Sequence, residues 1–595
     1  MSYRSFVRLL PLAALAAAGV VAACSDDDIT VPNENQPDIE RAFATPGGIE
    51  NIISKLFLQI HNGLYASTNS IWPQTAVMAF ESASQLGNYG MGSHSAIPRA
   101  ALDNARGNRE EVEHFRVYDH MVRNARIASQ AIFKLDEKLA GGATIGTPMR
   151  DARAKAFAFF EVGFALGHAA LFYDSTAIVT PDVAKTLVGP QVPPLSNSTE
   201  VMAAAMKMLD SALAYATSTA ATSSTDPLII PGSGGSAWLA IPSGDISVTR
   251  FQQIIRSYRA KFRANLARTP AERDAVDWTK VIDDATKGIE SDLVSQLNTT
   301  NGWTNTWIQQ AAVSPGWHQI TPFIFGMADT SGNYDAWLQK ALLSREPFLI
   351  KTPDMRFPSG ETRLLQQAPT KSSPNYQPLG SRLYVRNREV GQDTPSDPWG
   401  TSWYDFSRFF GIRGGSGNGP WPMLTRAEID MLAAEGYLRT NQIAKAIPLI
   451  DRYRTAAGLA SLAGITSATQ PVPGQRIDKD STTLDAAATV VRDAAGKYLF
   501  EVIPVPGSNS CVPNVPQAPS FTVTDCGNIF EALKWEKRME TAFTGFGQWF
   551  LDSRGWGDLT LNTPLEWPVP YQEMDARSLP FYNSKLGAGQ GKYGF

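Results

Sequence analysis

The sequence predicts a mainly α-helical protein: tetratricopeptide-like helical pairs form a scaffold, and a large, irregular, loop-rich binding half lies on it. Three observations predict this. Residues 423–457 place Leu424, Ala427, Met431, Ala434 and Leu438 at alternating steps of three and four. Ile443, Ala446, Ile447, Ile450 and Tyr453 then mark a second face, with Asn441 at the turn. Helical periods of the same kind recur between residues 46 and 291. Between 292 and 422 the period fades into a stretch rich in Trp, Pro and Gly, and loops that long are usually functional. The strict tetratricopeptide consensus is absent, so the pairing rather than the motif carries the prediction.

The chain opens with Arg4 and Arg8, then an apolar run from Leu9 to Val21. Spanning a bilayer takes about 20 residues, so the run is too short for a comfortable membrane helix and reads as a secretory signal over residues 1–23. Val21-Ala22-Ala23-Cys24 resembles a bacterial lipobox, in which Cys24 is lipidated and becomes the new N-terminus. The usual Leu of that motif is Val here. Ser25 and three Asp follow, then Pro32 to Pro37, a polar tether over 24–40 that cannot bury enough apolar surface to fold. A Ser followed by acidic residues also resembles a surface-export signal of lipoproteins. Anchorage to the membrane is therefore expected through lipid.

The folded part is expected over 41–595 as a single α-rich domain. Its scaffold covers 41–291 and 423–458, its ligand region about 292–422, and a C-terminal block 528–595. Helices are predicted over 46–66, 107–140, 151–173, 199–217, 249–268, 276–291 and the pair within 423–457. Ala433, Ala434 and Gly436 leave room for another backbone. Pro448 should kink the last helix or shift its start, and Gly458 suits a left-handed exit. Cys511 and Cys526 flank a Pro-rich loop, and in an oxidising exported compartment they are expected to pair. The odd count of three cysteines is then one for lipid and two for a bridge.

Several function classes are excluded or weakened. With 53 Lys and Arg against 57 Asp and Glu, the chain has no footprint for nucleic acid. The six His show no zinc spacing, no nucleophile elbow occurs, and Gly415 to Gly419 lacks the Lys of a phosphate loop. No metal, no cofactor and no catalytic residue is expected. Glu531, Glu536 and Glu540 alternate with Lys534, Lys537 and Arg538, which reads as a solvated, salt-bridged helix face rather than the carboxylate pair of a glycosidase.

Several blocks, in order, resemble the SusD/RagB family of outer-membrane nutrient-binding lipoproteins. They are the lipobox at Cys24, Thr45 to Glu50 through Tyr65, and Ala156 to Glu161 through Asp174. Arg426 to Leu438 follows, with Ile450 to Leu459, then Lys534 to Glu540 through Gly557, and finally Trp567 to Pro570 with Glu573 to Asp575. The resemblance implies a non-enzymatic, cell-surface protein. It would bind oligosaccharides or peptides and deliver them to a SusC-like TonB-dependent transporter. An exported glycan-active hydrolase and a surface adhesion lipoprotein are the alternatives.

Glycan capture needs flat apolar faces beside polar groups. The candidates for these are Trp72, Asn88, Tyr89, Trp303, Trp307, Trp317, Tyr334 and Trp337, all within or near segments that break the helical period. For any one Trp, core packing is the competing reading. Trp535, Trp549 and Trp556 are assigned to the scaffold.

Overall fold

The computed structural model describes residues 39–67, 70–84, 90–108, 114–187, 192–312, 318–358, 360–367, 383–389, 402–414, 416–478, 489–492, 498–505, 510–587 and 591–595. Residues 24–38, with Cys24 and most of the expected tether, lie outside the described residues, and residues 39 and 40, expected as tether, open a short helix, Ile39–Ala42.

The helices start where short polar side chains cap them. Helix α1 (Pro46–Tyr65) begins with Thr45, whose hydroxyl accepts the Gly48 N–H, and carries Pro46 in its first turn. Helix α2 is Ile71–Met78, α3 is His114–Ala140 and α4 is Pro148–Phe172. Helix α5 (Ser198–Ala216) has a reciprocal capping box between Asn197 and Glu200. Helix α6 (Val248–Asn265) is capped by Ser247, and α7 is Trp278–Thr286. The predicted pair is present as α8 (Arg426–Arg439), capped by Thr425, and α9 (Ile443–Arg454). Asn441 has φ 57° at their turn, and Gly458 has φ 78° beyond α9. Pro448 sits inside α9 without ending it. The C-terminal block supplies α10 (Ile529–Thr541) and α11 (Gln548–Trp556).

Helix α4 is the centre of the first helical group and packs against α1, α3, α5 and α6. It is long and apolar enough to cross a membrane, yet it is buried inside the protein. Gly167 is needed there: a Cβ would lie 2.2 Å from the Phe262 ring on α6. Phe57 of α1 stacks on Phe160 and meets Phe157 and Phe164 edge-on, so aromatic contacts bind α1 to α4. The second group is α7 to α10, centred on α8. At Gly436 of α8 a Cβ would come within 2.7 Å of Ile282 on α7, so the small residues read from the sequence do admit a neighbour.

Short strands tie the loop-rich stretch to the rest: β1 (Ala83–Ser84) before it, then β2 (Leu293–Leu297), β3 (His318–Gln319) and β4 (Gly419–Leu424), while Val385–Asn387 and Tyr404–Phe406 pair within it. Strands β2 and β4 are antiparallel, with Leu297 opposite Gly419 and Leu293 opposite Leu424. The stretch therefore leaves the scaffold and returns to it at one ladder. Strand β1 pairs with β3, Ser84 opposite His318. Further along, Gly474–Asp478, Tyr498–Val505 and Thr489–Arg492 form a three-stranded antiparallel sheet in that order. The sequence reading contained no such sheet.

Most buried apolar side chains from Phe43 to Phe595 form one core that runs through scaffold and loop-rich stretch alike. A second cluster joins α8, α9, α10 and Cys511. Cys511 and Cys526 are bonded, with Cα atoms 5.7 Å apart. The bridge spans 15 positions, and the chain-entropy model gives a loop of that size about 3 kcal/mol. Reduction, or replacing both cysteines with serine, should lower the unfolding free energy by about 2–4 kcal/mol in a urea titration. A change below about 0.5 kcal/mol would show that the segment between the two cysteines is held by its surroundings alone.

Candidate functional site

The seam between scaffold and loop-rich stretch runs along the β2–β4 ladder, and two clefts there share Pro420 as a wall. The larger holds about 490 Å³. Ile246, Ile254, Leu293 and Val294 give it an apolar lining, and Asp245, Ser247, Arg250 and Asp292 give it polar groups. Helix α6 positions Arg250 on its first turn, where the guanidinium donates to the Ser291 and Asp292 carbonyls at 2.7 and 3.0 Å. Partial burial lowers its pKa, opposed by the charges of Asp292 and Glu290. The Asp292 carboxylate accepts the Arg426 N–H at 2.8 Å, and Asp245 accepts the Gly232 N–H at 3.0 Å. These bonds fix the polar groups before any ligand arrives.

The smaller cleft, about 210 Å³, is lined by Arg408, Phe409, Ile412 and Asn418 among others. Arg408 lies over the Tyr384 ring at 4.4 Å and donates to the Glu540 carbonyl at 2.9 Å. Asn418 accepts the Thr299 N–H at 2.9 Å. Apolar walls set beside fixed donors and acceptors suit a ligand with alternating C–H faces and hydroxyls. None of these lining residues was a ligand-binding candidate in the sequence, and Asn418 stood there only within the Gly415 to Gly419 segment. A search limited to aromatic rings passes over clefts built from Ser, Asp, Arg and Ile.

The sequence candidates sit differently. Trp72 is 1% exposed and lies among Tyr65, Trp421 and Phe546. Trp303 is 4% exposed and rests on Phe57 and His61. The His61 ring is kept neutral, its pKa pulled down to about 4 by burial against a weaker opposing bond to the Thr304 carbonyl. Trp307, Tyr334 and Trp337 are buried as well. The expectation of solvent-facing rings is thus corrected for these five. Large apolar faces gain most by packing where the loop-rich stretch meets the helices, and that packing is what docks the stretch. Asn88, Tyr89 and Trp317 lie outside the described residues. The residues that lead into those segments, Ser84 of β1 and His318 of β3, are partners in one ladder.

The C-terminal charges also need correction. Glu531, Glu536 and Glu540, with Lys534, Lys537 and Arg538, are salt-bridged, but the face is buried rather than solvated. Lys534 pairs with Glu531 and Asp558, Lys537 with Asp552 and Arg538 with Asp558. Glu536 is shared between Arg356, at 2.8 Å, and Arg454, at 3.7 Å. Charges that repeat at helical spacing look solvent-facing in a sequence. Here Lys537 and Arg538 meet carboxylates just beyond the helix, and Glu536 and Glu540 meet Arg356 from a distant part of the chain.

No protein-family model matches the chain, and no curated protein sequence does. Solved structures do. SusD-like proteins are among the structures it resembles. A SusD-like protein from Bacteroides fragilis is 13% identical, with 92% of this chain and 98% of that one covered and a TM-score of 0.49. A SusD superfamily protein from Bacteroides thetaiotaomicron is 12% identical, covering 90% of this chain and 97% of its own, with a TM-score of 0.46. A SusD-like carbohydrate binding protein from Bacteroides vulgatus is 12% identical, with 82% and 94% covered and a TM-score of 0.43.

Proposed function

We propose that this chain is a surface lipoprotein of the SusD type, held by lipid on Cys24 after removal of residues 1–23. It binds oligosaccharides, or peptides, and passes them to a SusC-like TonB-dependent transporter of the outer membrane. It binds without catalysing. The observation that carries this reading is the seam itself. An irregular stretch of chain is closed at one ladder, docked on helical pairs, and bordered by clefts whose polar groups are fixed beside apolar walls. The ordered sequence blocks and the lipobox support the same role. The carboxylates of α10 are engaged in buried ion pairs, which supports binding rather than hydrolysis.

Calorimetric titration of the chain without residues 1–23 against malto-, cello-, xylo- and manno-hexaose tests it. Saturable binding is expected for one class, with Kd in the micromolar to millimolar range and no new reducing ends. Ser243 is exposed in the larger cleft, so Ser243→Trp should fill the cleft and weaken that binding at least tenfold with stability unchanged. Heat from none of the sugars or of a peptide library, and no barrel co-purifying from membranes, would end the proposal.

A further inference from the structure

A third groove lies away from the seam, between α1 and α3, and holds about 530 Å³. Two rows of residues four apart run side by side up α1 to form one wall. Gly48, Ile52 and Leu56 make the apolar row, and Asn51, Lys55 and Gln59 the exposed polar one. Ile127 of α3 lines it from the other side and is half-buried. Arg41 and Ala42 of the short helix Ile39–Ala42 close the near end. That helix is pressed on α1: a Cβ at Gly48 would lie 2.7 Å from the Ala42 carbonyl oxygen. At the far end a ring nitrogen of His120 bonds the Gln59 carbonyl at 3.0 Å. Arg123 stands close by on α3, 52% exposed and 3.5 Å from Asp119. The residues lining the groove include two cations, Arg41 and Lys55, and no carboxylate. Among the described residues Lys55 donates to the Gly235 carbonyl at 3.0 Å and meets no acid.

The chain that enters at the near end complements this groove in charge and in pattern. Residues 25–38 contain Asp26, Asp27, Asp28, Glu34 and Asp38 and no Lys or Arg. Apart from its prolines, the segment has two apolar residues, Ile29 and Val31. In an extended chain these two share a face, about 7 Å apart. Ile52 and Leu56 lie about 6 Å apart along α1, so the spacings match. Ile29 precedes Ile39 by ten residues, a reach of roughly 33 Å. The groove from Gly48 to Gln59 is about 16 Å long, so all of it is within reach. A tether this short keeps its own residues at about millimolar concentration over the groove. Contacts too weak to join two separate molecules then suffice within one chain.

We propose that residues 26–31 dock extended in the α1–α3 groove of their own chain. Ile29 and Val31 cover Ile52, Leu56 and Ile127, and Asp26 to Asp28 meet Lys55 and the basic far end at Arg123. Cys24 then leaves the fold beside the C-terminal end of α1, and a lipid on it turns the α1–α3 face toward the membrane. The attachment is not a free leash but one with a fixed exit point, which sets the side of the protein that faces away from the bilayer. The direction of the membrane rests on the lipoprotein reading above; the docking rests on the groove, the length of the tether and its charge.

Disulfide trapping tests the docking in the chain without residues 1–23, with Cys24→Ser so that no lipid takes part. Under a mild oxidant, Val31→Cys should bond to Ile52→Cys about tenfold faster than to Lys207→Cys, an exposed position on α5 outside the groove. Replacing Asp26, Asp27 and Asp28 with asparagine, or raising salt to about 1 M, should slow the first pair toward the second. Hydrogen exchange needs no new cysteine: residues 49–59 should exchange faster in Ile29→Ser/Val31→Ser than in wild type. Equal trapping at Ile52→Cys and Lys207→Cys overturns the docking, as does exchange that Ile29→Ser/Val31→Ser leaves unchanged. Trapping that neither salt nor the asparagine variant slows overturns the placement of Asp26 to Asp28. Mass spectrometry of the full chain purified from membranes reads the lipid separately. A Cys24 without lipid ends the lipoprotein reading and the membrane-facing side with it, while the docking is decided by the trapping alone.

Discussion

Replacing Arg356 with leucine will cost the protein about 3–5 kcal/mol or more. The guanidinium is fully buried and holds Asp354 bidentately at 2.9 and 2.7 Å. Its other nitrogen donates to Glu536 at 2.8 Å and Glu540 at 3.2 Å. Its carbonyl accepts the Tyr384 and Val385 N–H groups. Arg356 is therefore a charged link between the loop-rich stretch and α10 of the scaffold. Its removal takes this cation from three buried carboxylates: Asp354 keeps the Trp535 indole N–H, Glu540 the Tyr384 hydroxyl, and Glu536 only Arg454 at 3.7 Å. Lysine keeps the charge but not the planar fork, so Arg356→Lys should fall between wild type and Arg356→Leu. Urea unfolding gives the free energy, and limited proteolysis should show cuts between 292 and 422 before cuts in α1 to α6. A loss under about 1 kcal/mol would mean that the carboxylates are neutral in the fold and that the link is not ionic.

Replacing Glu81 with glutamine will flatten the pH dependence of stability. Glu81 is 2% exposed. Burial pushes its pKa from 4.5 up to about 8, partly opposed by the Phe543 N–H that its carboxyl accepts at 2.6 Å. A carboxyl whose folded pKa is raised contributes its full stability below the unfolded value. Between pH 4.5 and about 8 the unfolded chain gives up the proton while the folded one keeps it, so stability falls as pH rises through that window. At roughly 1.4 kcal/mol per pKa unit the fall is on the order of 5 kcal/mol. Glutamine keeps an oxygen for the Phe543 N–H and cannot ionise. Glu81→Gln should match wild type near pH 4 and exceed it near pH 8, read as unfolding midpoints across pH. Parallel curves for the two proteins would show that Glu81 is ionised in the fold. The bond it makes joins two turns in which Phe80 and Phe543 both hold positive φ, 60° and 55°. A non-glycine residue in that region needs neighbours to hold it.

The helices were legible because their signals are local. Thr45, Asn197, Ser247 and Thr425 each stand just before an apolar period, and each caps a helix. The small residues of α8 were legible for the same reason, since a gap in side-chain volume can be read one position at a time. The sheet of residues 474–505 was not: its strands are short, and its middle strand in space is the last in sequence. The candidate site was the least legible part. Trp72, Trp303, Trp307, Tyr334 and Trp337 were read as ring faces for a ligand, but a sequence does not say which face of a ring meets water. The clefts beside Pro420 draw on residues from 241 to 420 that share no pattern.

By itself the sequence determined the mainly helical fold and its helical pair at 426–454, with the bridge between Cys511 and Cys526 left to the structure. Each follows from spacing along the chain, which is where capping and amphipathic burial act. Tertiary structure alone decided that the charges of α10 are interior and that the aromatic rings pack rather than project. Burial and pairing depend on what arrives from elsewhere in the chain: Arg356 reaches Glu536 across 180 positions of sequence, a distance over which no periodicity carries information.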